Sequence, residues 1–106
     1  MIRGAAIEQS VVGIRSVIGE GTMLRKVLMM GADSYERPRR EQRVRFGIGS
    51  GCRIHNAIID KNARIGDKVS IRDHSRSADY DGTNFYIRDG IVVIPKGAVL
   101  PPDSEI

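Results

Sequence analysis

The sequence predicts an all-β chain wound as a single-stranded parallel β-helix, and three observations point to it. A branched aliphatic residue recurs every six positions in three separate stretches: Val12, Ile18 and Leu24; Ile59, Ile65 and Ile71; Ile94, Leu100 and Ile106. The fifth place of each hexad is small: Ser16, Thr22, Ala63, Val69, Ala98 and Ser104. Aromatic residues make up only 5% of the 106 residues, and Trp is absent. A compact core usually draws on such side chains, because each buries much apolar area. A period of six fits neither an amphipathic helix nor a long alternating strand. It fits a hexapeptide-repeat coil in which each hexad makes one short strand and a corner. The aliphatic residues then stack in interior columns, with the small fifth residues beside them.

Taken in order, the hexads build about four triangular turns. The first holds Val12, Ile18 and Leu24, and the second Met29 or Met30, Ile48 and Ile54. Ile59, Ile65 and Ile71 form the third, and Ile94, Leu100 and Ile106 the fourth. The steps from Ile7 to Val12 and from Ile54 to Ile59 are five residues long instead of six, so the two regions share a larger repeat. Ile2 and Ile7 are read as coil residues. No polar cap precedes them, so more chain or a packed partner is expected to cover that end. Ile106 opens a hexad that does not continue, and a second cover is expected there. The chain is one domain over residues 1–106. Two segments leave the coil as surface loops. The first, about residues 31–46, carries Arg37, Arg39, Arg40, Arg43 and Arg45; the second, about 72–90, carries Tyr80, Phe85 and Tyr86.

Several features resemble functional motifs and read more simply as structure. Cys52 occupies the small fifth place of the Ile48 hexad, which makes it a core residue rather than a nucleophile. A single cysteine builds no disulfide framework. Gly47, Gly49 and Gly51 suggest a phosphate loop, yet no Gly-Lys-Ser or Gly-Lys-Thr follows and no helix pattern opens. They read as corner glycines. Asp79, Asp81 and Gly82 resemble a calcium loop without its distal glutamate, so they read as a turn. His55 and His74 lack Cys or carboxylate at metal spacing and make a poor metal site; His55 follows an inward Ile and reads as a surface histidine. The net charge of +4 comes with interspersed acids and no aromatic stacking platform beside the arginines, which argues against nucleic acid. The arginine run reads as a solvated loop or as a contact with another domain. No signal peptide and no long apolar run is present, which argues against secretion and membrane spanning.

Lys61 and Lys96 are the informative polar residues. Each is third in its hexad, after Ile59-Asp60 and Ile94-Pro95, so the two fall on one face of adjacent turns. Neighbouring strands lie about 4.8 Å apart. Two ammonium groups rooted that close repel by roughly 1 kcal/mol in water and by several at an effective dielectric of about 20. An anion between them turns the repulsion into attraction; otherwise the flexible stems splay apart.

Val27 to Glu36, Gly47 to Gly49, Ala57 to Gly66 and Tyr86 to Lys96 together resemble the C-terminal region of ADP-glucose pyrophosphorylase (glucose-1-phosphate adenylyltransferase) of the plant and cyanobacterial type. The order and spacing hold over nearly the whole chain. The resemblance implies that the coil is left-handed, although ordinary crossovers are right-handed. It implies a tetrameric enzyme that makes ADP-glucose from ATP and glucose 1-phosphate for glycogen or starch synthesis. That enzyme is activated by 3-phosphoglycerate and inhibited by phosphate. The family's activator-binding lysines of this region fall on Lys61 and Lys96. Mg²⁺ and ATP belong to the family's nucleotidyltransferase domain, whose glycine-rich loop and metal-holding carboxylates do not occur in these residues. The chain by itself is therefore expected to hold no cofactor and to be inactive. Its expected partners are that domain, the other subunits of a homo- or heterotetramer, and a small anionic effector. The expected compartment is the cytoplasm, or the plastid in a plant.

Three function classes follow. A regulatory and oligomerisation domain of this enzyme is the first. The second is a hexapeptide-repeat acyltransferase, which needs His55 or His74 as a general base in a cleft between subunits. The third is a purely structural interaction module.

Overall fold

The computed structural model describes residues 4–13, 15–32, 47–76 and 78–106. Ile2 and the arginine run from Arg37 to Arg45 lie outside the described residues. Among those described, every regular element is a strand. The strands are β1 (Ala6–Glu8), β2 (Val11–Val12), β3 (Met23–Met29), β4 (Gly47–Ile48), β5 (Arg53–Ile59) and β6 (Arg64–Ile65). They continue with β7 (Ser70–Ile71), β8 (Tyr80–Asp81), β9 (Tyr86–Arg88), β10 (Ile91–Ile94) and β11 (Val99–Leu100).

Parallel pairing between turns produces three interior columns. Ile7 pairs with Leu24, Leu24 with Ile54, and Ile54 with Ile71. Arg72 N–H donates to the Ile106 carbonyl and Ile106 N–H to that of Ser70, which places Ile106 at the end of this column. Val12, Met29, Ile59 and Ile94 form the second column. Ile18, Ile48, Ile65 and Leu100 form the third. The expected inward set is buried throughout: Ile18, Leu24, Ile48, Ile54, Ile59, Ile65, Ile71, Ile94 and Leu100. The structure also decides between the two methionines, since Met29 is 2% exposed and Met30 41%. Ile7, on the first described rung, is 37% exposed. Burying each such aliphatic side chain contributes about 1.5–3 kcal/mol.

The corners explain the five-residue steps. β3 and β5 each run through a corner without breaking, and the ladder between them skips one position, Lys26 opposite Asn56. Gln9, Lys26 and Asn56 take left-handed φ values of 49°, 54° and 51° at this corner in successive turns. Elsewhere the small fifth residues satisfy corner carbonyls. The Ser16 hydroxyl donates to the Gly13 carbonyl (2.6 Å), and Ser104 repeats the bond to Pro101 (2.6 Å). Where turns approach most closely, only glycine fits. A Cβ on Gly66 would lie 2.5 Å from the Pro102 nitrogen.

The second insertion is more ordered than the surface loop the sequence suggests. β9 pairs antiparallel with β10, and β8 pairs antiparallel with β9. The hairpin thus adds two strands to the edge that the last turn leaves open on that face, and an open edge invites pairing with another chain. Ile87 on β9 is buried, and Phe85 packs against the core. Tyr80 stacks on Phe85 with ring centroids 5.3 Å apart. Both rings share a surface cavity with Leu100, Pro101 and Ile106, so the hairpin leans over the last turn.

Two substitutions test this architecture by urea unfolding. Ile65→Asp should cost several kcal/mol, a large share of a domain's total stability of about 5–15 kcal/mol, because the carboxylate enters an aliphatic column unpaired. Gly66→Ala should cost about 1–3 kcal/mol by forcing two turns apart. Midpoints equal to the parent's would contradict the column assignment.

Candidate functional site

The corner after the second column carries Lys61 and Lys96. β5 ends at Ile59 and β10 at Ile94, and these two residues are paired. The ladder continues past them. Asp60 N–H donates to the Ile94 carbonyl (2.9 Å), and Gly97 N–H donates to the Lys61 carbonyl (3.1 Å). Lys61 and Lys96 therefore occupy equivalent places on neighbouring rungs, about 4.8 Å apart at the backbone. Both are exposed. The next residue in each turn takes a left-handed conformation, Asn62 at φ 60° and Gly97 at φ 73°, which turns the chain sharply and leaves the lysines on the outer edge. The Asp60 carboxylate accepts from the Lys61 backbone N–H (2.7 Å), so it is directed at its own turn. Pro95 replaces it one turn later, so the second lysine has no preceding acid.

Arg15 belongs to the same corner, and the sequence reading passed over it. The inter-turn register makes it the counterpart of Asn62 two turns earlier, and it shares the left-handed φ at 54°. Its Nε donates to the Ala32 carbonyl (3.2 Å). The signal in the sequence is its place, third after Val12, just as Asn62 is third after Ile59. An outer row of apolar side chains borders this corner. Val11 pairs with Leu28, Leu28 with Ile58, and Ile58 with Val93. Val11 is 64% and Leu28 41% exposed.

The other sequence candidates fall into structural roles or lie apart from this corner. Cys52 is fully buried, and its thiol donates to the Gly66 carbonyl (3.1 Å). Burial pushes that thiol above its ordinary pKa. Gly49 N–H donates to the Ile65 carbonyl as part of a ladder, and Gly51 turns a corner at φ 68°; Gly47, at φ 96°, begins β4. Asp79 accepts from the Asp89 backbone N–H (3.1 Å), and Asp81 pairs with Arg88. Both acids thus serve the hairpin. Among the described residues no group of His, Cys, Asp and Glu could hold a metal ion. Among the described residues no helix is long and apolar enough to cross a membrane. His55 lies on β5 beside the Asn56 corner, and His74 in the segment that leaves the coil.

Comparison with known proteins agrees with the β-helix fold. A family model described as the GLGC left-handed parallel beta-helix domain matches residues 1–104. The chain belongs to that family. The coil is thereby left-handed. The glucose-1-phosphate adenylyltransferase small subunit of Zea mays is similar to it, 39% identical over 115 residues that span 100% of this chain and 92% of the relative.

The buried thiol gives a direct check. Cys52 should resist alkylation by iodoacetamide at pH 8 in the native chain and react at the rate of an ordinary thiol in urea. Rapid native labelling would contradict its place in the core.

Proposed function

We propose that this chain is the regulatory and assembly domain of a glucose-1-phosphate adenylyltransferase and that Lys61 and Lys96 grip one anionic effector. The observation that carries the reading is the register of the two lysines in a chain similar, over its whole length, to a subunit of that enzyme. A phosphorylated carboxylate such as 3-phosphoglycerate suits two ammonium groups on adjacent rungs, and phosphate competes for the same charges. Each charge-assisted contact contributes about 1.5–3 kcal/mol. A nucleotidyltransferase domain completes the site and supplies the chemistry, with its own Mg²⁺ and ATP. The apolar row from Val11 to Val93 supports a packed neighbour, since an exposed apolar patch rimmed by polar residues is a common contact surface. The corresponding enzyme serves glycogen or starch synthesis.

This role has two measurable consequences. Alone, the chain should form no ADP-glucose from ATP and glucose 1-phosphate, and it should self-associate through its exposed apolar row. Turnover by the isolated chain, or a strict monomer at high concentration in sedimentation, would oppose the proposal. Joined to its catalytic domain, Lys96→Ala should raise the activator concentration needed by roughly tenfold to a hundredfold, at about 1.4 kcal/mol per decade. Turnover at saturating activator should change little. Lys61→Ala should act in the same direction, and the double variant should show less than the sum of the two. Single variants that respond to 3-phosphoglycerate and phosphate like the parent would rule out the site.

A further inference from the structure

A second group of charges lies at the opposite edge of the same face, and the effector reading does not use it. Arg25 and His55 are paired across the ladder of β3 and β5, so they stand outward from neighbouring strands about 4.8 Å apart. Lys26 and Asn56 follow them at the shared left-handed corner. The next rung brings Asp73 beneath Asn56, because Ile54 pairs with Ile71. Arg25, Lys26, His55, Asn56 and Asp73 line one surface cavity of about 160 Å³. The cavity is braced. The Asn56 amide donates to the Gly90 carbonyl (3.1 Å), which ties the corner to the hairpin. Asp73 accepts from the Ser75 backbone N–H (2.9 Å), so its carboxylate closes a turn of its own. Hydrogen bonds from Ser75 hold the Asp73 carboxyl below its usual range, with the charges of Lys26 and His55 acting the same way. Glu8 pairs with Arg25 from the rung above and offsets part of that charge from outside the cavity.

Two permanent cations and an imidazole thus converge on a space shared with a single carboxylate. We propose that this cavity is a second anion site, for inorganic phosphate or a small phosphate monoester. A tetrahedral dianion accepts donors from several directions, which suits side chains from separate rungs, whereas a planar carboxylate suits a single guanidinium fork. The cavity is too small for a polymer to thread. It is also distinct from the lysine corner. Asn56 and Lys61 are five residues apart along an extended chain, roughly 16 Å at about 3.3 Å per residue, so one small anion does not span both.

Phosphorus NMR of inorganic phosphate and of glycerol 3-phosphate, titrated with the whole chain at constant ionic strength, tests the proposal. Saturable binding should persist when Lys61 and Lys96 are both replaced by Ala. In that background Arg25→Ala and Lys26→Ala should each weaken binding by about tenfold, near the value of one charge-assisted contact. Asp73→Asn keeps the oxygen that caps Ser75 and removes the repelling charge, so it should tighten binding by roughly threefold. Tighter binding of glycerol 3-phosphate marks a monoester site, and tighter binding of phosphate marks the free ion. The site is refuted if binding vanishes with the lysine pair, fails to saturate, or ignores both Arg25→Ala and Asp73→Asn. Unchanged urea midpoints in the variants separate loss of binding from loss of fold.

Discussion

Everything in this molecule depends on the register between turns. Each turn lies on the one before it through parallel backbone hydrogen bonds, and that register holds across very different lengths of intervening chain. Leu24 finds Ile54 across the first insertion, and Glu105 finds Ser70 across the second. A slip of one residue would turn the aliphatic columns outward, so the apolar interior enforces the register strongly. An insertion is tolerated only if the chain returns to the same rung. The coil therefore accepts added segments at its corners without disturbing the columns.

The same constraint shapes the outer surface. Side chains at equivalent hexad places are brought within one strand spacing of each other, turn after turn. Like charges that a solvated loop would keep apart are held side by side, and the cost falls when an anion joins them. Lys61 with Lys96 at one corner, and Arg25 with Lys26 and His55 at another, are two outcomes of one geometric rule. Between the two corners runs the row of Val11, Leu28, Ile58 and Val93, so this face is apolar at its centre and basic at both edges. Edge protection follows from the same logic. The edge of β10 away from β5 is taken by β9, and β8 pairs antiparallel with β9 in turn.

By itself the sequence determined the coil, the inward set and the two-lysine corner. Columns repeat in the chain as spacings of six and five, and such local periodicity needs no tertiary information to be seen. Cys52 was legible for the same reason, because its place in a hexad gives its burial. Only the tertiary structure decided between Met29 and Met30, which differ by one position at the mouth of an insertion where the period is interrupted. It alone showed that Tyr80–Asp81 and Tyr86–Arg88 form strands, since Tyr86 and Ile87 pair with β10 and Tyr80 in turn pairs with Ile87, not through any local pattern. It alone placed Arg25 beside His55. Those two residues are 30 apart along the chain, and the insertion between them hides the spacing. Local repeats specify which side chains face inward. Which outward side chains meet depends on how many residues each turn consumes, and the closed backbone ladder sets that number.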